Sequence, residues 1–228
     1  MPRFRDRREA GRRLGEALEH IRDQDPVNLG IPRGGVVVAH EIASNVGAPL
    51  DVLVVRKLGY PRHEEAGFGA VGENGVIVPP SLGEMTPEDP GYDVFQEVIA
   101  TKRLEVEERV RRYRREREPI PLDGGTAVVV DDGIATGYTF AAALAIARAR
   151  RPRRLVAAAP VASWEGASLV SAYCDELVTL GTAERGLFFA VSLYYDDFPQ
   201  VTDEEVVRLL EDGWERGRSG PGQAGTLE

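Results

Sequence analysis

Two hydrophobic rhythms alternate along the chain. Short apolar-rich runs occupy residues 27–31, 50–55, 126–130, 155–161 and 177–180. Runs of this length, rich in Val, Ile and Leu, fit strands buried on both faces of a parallel sheet. Between them, apolar positions return every three or four residues. That spacing predicts helices over 6–21, 36–45, 93–118, 139–150, 163–173 and 202–214. In the first helix Ala10, Leu14, Ala17, Leu18 and Ile21 share a face behind an Asp6 N-cap. Its arginines read as a solvated face without chemistry. Ser163 is an N-cap for the fifth helix, and Thr202 with Glu205 forms a capping box for the sixth. The succession predicts an α/β fold, a right-handed parallel sheet flanked by helices.

Three stretches depart from this rhythm. Residues 68–71 and 76–78 alternate around Gly72-Glu73-Asn74-Gly75 and predict a β-hairpin. The Gly- and Pro-punctuated segment before it, 59–67, is expected to be mobile. Helix 93–118 is strongly charged, with Arg109, Arg111, Arg112, Arg114, Arg115 and Arg117 in its second half. Arginine–glutamate pairs on a solvated face are the expectation there. A contact with RNA, a substrate phosphate or a partner subunit stays open. After the last strand, Phe188, Phe189, Tyr194, Tyr195 and Phe198 crowd together, either walling a pocket or capping the sheet edge. The expected organisation is one domain over 1–218, with 59–118 as an insertion. The Gly-rich tail 219–228 is expected to be disordered.

Composition narrows the function classes. A net charge of −9 does not call for a general nucleic-acid partner. Lys57 and Lys102 are the only lysines among 28 basic residues. A single cysteine, Cys174, allows no internal disulfide and fits a reducing compartment. No apolar run approaches the ~20 residues of a membrane span, and the N-terminus does not read as a signal peptide. A cytoplasmic protein is the expectation.

Candidate chemistry concentrates in Val128-Val129-Val130-Asp131-Asp132-Gly133-Ile134-Ala135-Thr136-Gly137-Tyr138-Thr139. A buried strand ends in two acids, where open α/β sheets bind ligands. A small-residue loop then opens a helix whose first amides form an anion site, with Thr136 and Thr139 adding hydroxyls. Vicinal carboxylates beside a phosphate cradle suit a sugar phosphate. The same pattern also fits an acidic strand end in another doubly wound fold, such as a magnesium-binding receiver domain or an NTPase. Pro32-Arg33-Gly34-Gly35 after the first strand offers a second anion cradle. Arg56 and Lys57 at the end of run 50–55 would face the same crevice.

The Asp131–Thr139 stretch resembles the signature of type I phosphoribosyltransferases, which bind phosphoribosyl pyrophosphate (PRPP). Arg-Lys-Leu-Gly-Tyr-Pro at 56–61, followed by Glu65 and Gly69-Ala70-Val71, resembles a branch of that family with undefined acceptor. The resemblance implies a flexible loop including Glu65 and a small C-terminal hood over 181–216. It implies ribose hydroxyls on Asp131 and Asp132, and the 5′-phosphate on Gly133, Ala135, Thr136, Gly137, Tyr138 and Thr139. Pyrophosphate would lie on Arg33, Gly34 and Gly35, with Arg56 and Lys57 in support and a non-proline cis bond at Arg33–Gly34. Asp131, Asp132 and Lys57 are the implied catalytic residues. Mg²⁺ would sit by Asp131 and Asp132, held largely through ligand oxygens and water. Ala135 stands where 6-oxopurine enzymes carry an aspartate, which argues against a hypoxanthine or guanine acceptor. The expected activity is phosphoribosyl transfer from PRPP to an unidentified acceptor. The alternatives are a PRPP- or nucleotide-sensing regulator and, more weakly, a magnesium-dependent hydrolase using Asp131. Dimers are common in the family, so a homodimer also stays open.

Overall fold

The computed structural model describes residues 1–60, 63–79, 82 and 85–218, and within these the side chains of all but 63–68 and 215–218. In chain order the strands are β1 (Pro26–Gly30), β2 (Leu50–Val52), β3 (Val55–Tyr60), β4 (His63–Gly72), β5 (Ile77–Val78), β6 (Thr126–Val130), β7 (Arg154–Ala162) and β8 (Glu176–Thr182). The helices are α1 (Arg7–Ala17), α2 (Gly34–Val46), α3 (Tyr92–Arg114), α4 (Tyr138–Ala149), α5 (Trp164–Ser171) and α6 (Asp203–Arg218). Five parallel strands form the main sheet in the order β2-β1-β6-β7-β8. Antiparallel β3, β4 and β5 form a second sheet.

The two-residue period of a strand sends alternate side chains to opposite faces, and β6 shows it. Val128 and Val130 join Leu14, Ile42, Leu50 and Leu209 on one face, while Ala127 and Val129 join Leu29, Phe140, Leu144 and Ile146 on the other. Apolar residues on both sides leave β1 and β6 wholly buried. From β1 the chain steps outward to β2, then returns to lay β6 on the other side of β1 in register, Gly30 opposite Val130. The strand order reverses there, and the loops leaving β1 and β6 open side by side at their carboxyl ends.

Several boundaries differ from the sequence expectation. Run 50–55 is not one strand. β2 stops at Val52 and β3 begins at Val55 in the other sheet. Side chains replace the ladder at that break: the Arg114 guanidinium donates to the Val52 carbonyl at 2.6 Å, and the Val54 amide donates to Glu73 at 2.9 Å. With its backbone groups satisfied, the chain can leave the main sheet. Helix α1 ends at Ala17 and tightens into a 3₁₀ turn over Glu19–Gln24, which still buries Leu18 and Ile21. Helix α2 begins at Gly34, so the glycine pair forms its first turn rather than a preceding loop. Segment 59–67, expected to be mobile, lies in β3 and β4 where described, and β4 pairs along β3. Glu65 falls within β4. The predicted hairpin is present between β4 and β5. The tail 219–228 lies outside the described residues. Among the described residues no helix is long and apolar enough to cross a membrane.

Candidate functional site

The site grows from the two adjacent strand ends. Val130 passes into Asp131 and Asp132 while its carbonyl accepts the Ile31 amide from the β1 loop at 2.8 Å. The next peptide bond but one in that loop, Pro32–Arg33, is cis, one residue earlier than the expected Arg33–Gly34. Helix α2 then starts against the acids. A Cβ on Gly34 would stand 1.9 Å from Asp132 Oδ2, and one on Gly35 would stand 2.5 Å from the Val130 carbonyl oxygen. Only glycines let this helix start come so close. Gly34 and Gly35 are thereby brought directly beside Asp132 and Asp131, with Arg33 the residue before them.

The two carboxylates have different neighbours. Asp132 Oδ2 accepts from Arg7 Nε at 2.7 Å. Arg7, 8% exposed, also donates to the Pro199 carbonyl at 2.7 Å and stacks 3.6 Å from the Phe198 ring centre. The expectation that the α1 arginines form a solvated face therefore fails at Arg7. Tyr195 donates to the Asp132 carbonyl at 2.6 Å, and burial followed by Asp132 pushes its phenol upward. Among the described residues Asp131 makes no comparable cation contact, although Arg7 acts on it at a distance. Its Oδ1 accepts the Asp132 amide at 2.8 Å. Burial, then the adjacent Asp132 charge, raises its carboxyl well above the ordinary value.

The loop beyond is pinned from beneath and open above. Ile134, buried, donates its amide to Val161 at 2.8 Å and accepts from the Ser163 amide at 2.8 Å. The Ser163 hydroxyl donates to the Ala135 carbonyl at 2.5 Å while accepting the Gly166 amide at 2.8 Å, so the cap of α5 also tethers the loop. Gly137, with φ of 81°, is the N-cap of α4 and supplies no side-chain acceptor. Ala135, Thr136, Tyr138 and Thr139 are exposed. Uncapped amides at an open helix start are an anion site.

Arg56 and Lys57 lie elsewhere than expected. They lie in β3 of the second sheet, not at the end of a main-sheet strand, because the chain breaks at Val52–Val55. Both line a cavity of about 550 Å³ with Tyr60, Lys102 and Glu105. Arg56 Nε lies 3.4 Å from Glu105, and Arg33 lies 3.9 Å from Asp203. The side chain of Glu65 is not among those described. Among the described residues no group of three or more His, Cys, Asp or Glu could hold a metal ion by itself. Cys174 donates to the Val170 carbonyl at 3.4 Å as a partly buried thiol.

The aromatic residues after β8 divide. Tyr195 is buried between Phe4 and Phe198, at ring distances of 5.5 and 4.8 Å. Phe188 stacks on Tyr194 at 5.2 Å, and Phe189 is 81% exposed. The group thus both packs the sheet edge and walls the Asp132 side of the site. Arg7 and the Ser163 tether were missed from sequence. Ser163 was legible as a cap, but nothing local marked either as a partner of the loop.

A family model described as a phosphoribosyl transferase domain matches residues 6–195. Two Mycobacterium tuberculosis proteins, from strains CDC 1551 / Oshkosh and ATCC 25618 / H37Rv, each named "Putative phosphoribosyl transferase", are 45% identical over 213 residues. That alignment covers 92% of this chain and 47% of theirs, so the chain spans about half the length of the curated relatives it matches. The crystal structure of TT1426 from Thermus thermophilus is similar at 44% identity and a TM-score of 0.80, over 92% of this chain and 98% of that one.

Proposed function

The chain belongs to the phosphoribosyl transferase domain family, and on that premise we propose that it transfers the 5-phosphoribosyl group of PRPP to an acceptor and releases pyrophosphate. The observation that carries the reading is the contact between the two cradles. The Gly34 corner touches Asp132, and the open 135–139 loop begins three residues later. One phosphorylated pentose with a diphosphate at C1′ would span both.

The roles follow from the donors available. Exposed amides and the Thr136 and Thr139 hydroxyls hold the 5′-phosphate. Asp131 and Asp132 take the ribose hydroxyls, and Arg7 keeps Asp132 fixed for that purpose. Arg33, Gly34 and Gly35, with Arg56 and Lys57, hold the pyrophosphate. The C1′–O bond breaks with its electron pair going to pyrophosphate, a bond from an acceptor nitrogen to C1′ forms, and the proton of that nitrogen leaves to pyrophosphate or water. The protein's contribution is positioning and charge management around an oxocarbenium-like state. Mg²⁺ fits this site as a shared ion. The acids are hard oxygen donors, but Arg7 already engages Asp132 Oδ2. The ion would therefore rest mainly on ligand oxygens and water beside Asp131 and Asp132. When bound, it neutralises pyrophosphate charge. Ala135, where the resemblance places the aspartate of 6-oxopurine enzymes, argues against a hypoxanthine or guanine acceptor and leaves a different nucleobase or similar nitrogen heterocycle as the proposed class. The proposed setting is the cytoplasm, with no membrane or nucleic-acid partner.

The test is pyrophosphate release from PRPP across a panel of nucleobases, with and without Mg²⁺. Release with at least one base, lost on removal of Mg²⁺, is the expected result. The Arg7–Asp132 ion pair favours one second reading, a PRPP- or nucleotide-sensing regulator, because it holds the site in a fixed shape without substrate. Tight PRPP binding with no turnover on any base would select it. No PRPP binding would reject both.

A further inference from the structure

Most arginines in the second half of α3 have partners. Arg114 pairs with Asp51 and Glu73, Arg112 with Glu108 and Asp203, and Arg115 with Glu211. Arg117 stacks 4.1 Å over Trp214. Arg109 differs. Among the described side chains its guanidinium has no hydrogen bond and no carboxylate within 4 Å, though it stands near enough to Asp203 to help lower that carboxyl, and it is half-buried rather than out in solvent.

Its surroundings are set by its helix face. Glu105 and Tyr113 stand four residues to either side and share that face. Glu105 reaches Arg56 at 3.4 Å. The Tyr113 hydroxyl donates at 2.7 Å to Asp203, the carboxylate that Arg33 approaches at 3.9 Å. Arg109 therefore sits between the two contacts that join α3 to Arg56 and to Arg33. Arg56 Nε is buried without a hydrogen bond, and Asp203 is shared with Arg112. The crowding is felt electrostatically. After burial, Arg109 is the largest influence lowering Arg56, and Arg33 adds to it. Tyr113, raised to about 12 by burial and Asp203, is pulled back by Arg109 and Arg33. Arg33, Arg56 and Arg109 share this surface with two carboxylates, Glu105 and Asp203, and each of those already accepts from another cation, Lys102 at 2.6 Å and Arg112. The cluster is short of negative charge.

We propose that Arg109 joins Arg33 and Arg56 as the third side chain of a diphosphate-binding site, so that the arginine-rich helix enters the substrate site. This rests on the phosphoribosyl-transfer reading above. Guanidinium forks bind phosphate oxygens in pairs, and three of them exceed the needs of one phosphate group. The monophosphate end already has the amides of α4.

Inorganic pyrophosphate and ribose 5-phosphate are titrated calorimetrically into the wild-type chain, Arg109→Ala and Arg111→Ala. Arg111 is exposed on the same helix and controls for the loss of one charge. Arg109→Ala should weaken pyrophosphate roughly ten-fold or more and leave ribose 5-phosphate within about two-fold. Arg111→Ala should leave both within that range. Arg109→Gln repeats the test if the alanine variant melts early. Unchanged pyrophosphate affinity in Arg109→Ala, an equal loss in Arg111→Ala, or no pyrophosphate binding by the wild type would overturn the proposal. Arg109-dependent pyrophosphate binding without any affinity for ribose 5-phosphate or PRPP would uphold this site and reject the transfer reading.

Discussion

Asp131 and Asp132 are chemically identical neighbours whose surroundings separate them. Asp132 faces Arg7 across 2.7 Å in a largely buried pair. Asp131 faces burial and a like charge, which favour its protonated form. Asparagine is close in shape and charge to a protonated aspartate, so Asp131→Asn should cost little stability while weakening PRPP about ten-fold or more through lost contacts to the ribose. Asp132→Asn should weaken PRPP similarly and also strand the Arg7 charge, costing about 1–3 kcal/mol of stability. Urea denaturation beside calorimetric titration measures both quantities. Equal stability losses in the two variants would refute the asymmetry.

At the scale of elements, the second sheet and α3 are joined to the main sheet by a buried charge network. Arg114, 2% exposed, donates to Asp51 at 2.8 Å, to Glu73 at 2.5 Å and to the Val52 carbonyl. Asp51 also accepts the Ile120 amide at 3.0 Å, so the chain leaving α3 is fastened there too. The charge pattern of α3 gave no sign of this, because an arginine in a run of arginines reads as solvated. Removing one partner leaves two acids buried and uncompensated. Arg114→Ala should therefore lose about 3–5 kcal/mol, against about 0.5 kcal/mol or less for exposed Arg111→Ala. Chemical denaturation decides it, and a loss near the Arg111 value would mean the network contributes nothing net.

Across the whole molecule, the proposed function depends on where the strand order reverses. Because β1 and β6 lie side by side, loops separated by about a hundred residues of chain open next to one another, and α3 reaches that end through Tyr113, which shares Asp203 with Arg33. A ligand spanning those loops binds only the folded chain, so it stabilises by mass action. At a hundred times its dissociation constant, PRPP should add about 2.7 kcal/mol. For a domain of this size that is a rise in Tm of roughly 5–10 °C. Thermal melting with and without PRPP measures it, and an unchanged Tm at saturation would count against those loops as the binding site.

Much of what depends on neighbours along the chain was legible beforehand. The buried run of β6, the glycines and threonines of its loop, the Asp6, Ser163 and Thr202 caps and the β4–β5 hairpin each follow from local period, turn chemistry or capping. What the pattern could not decide is which distant polar groups meet. Arg7 and Asp132 are 125 positions apart, and Arg114 and Asp51 are 63 apart. Hydrophobic period assigns a residue to a face, but an arginine on a helix looks the same whether it points to water or to a buried acid. Only packing removes the water and selects the partner, and that step moved Arg56 and Lys57 to a second sheet and set Arg7 against Asp132.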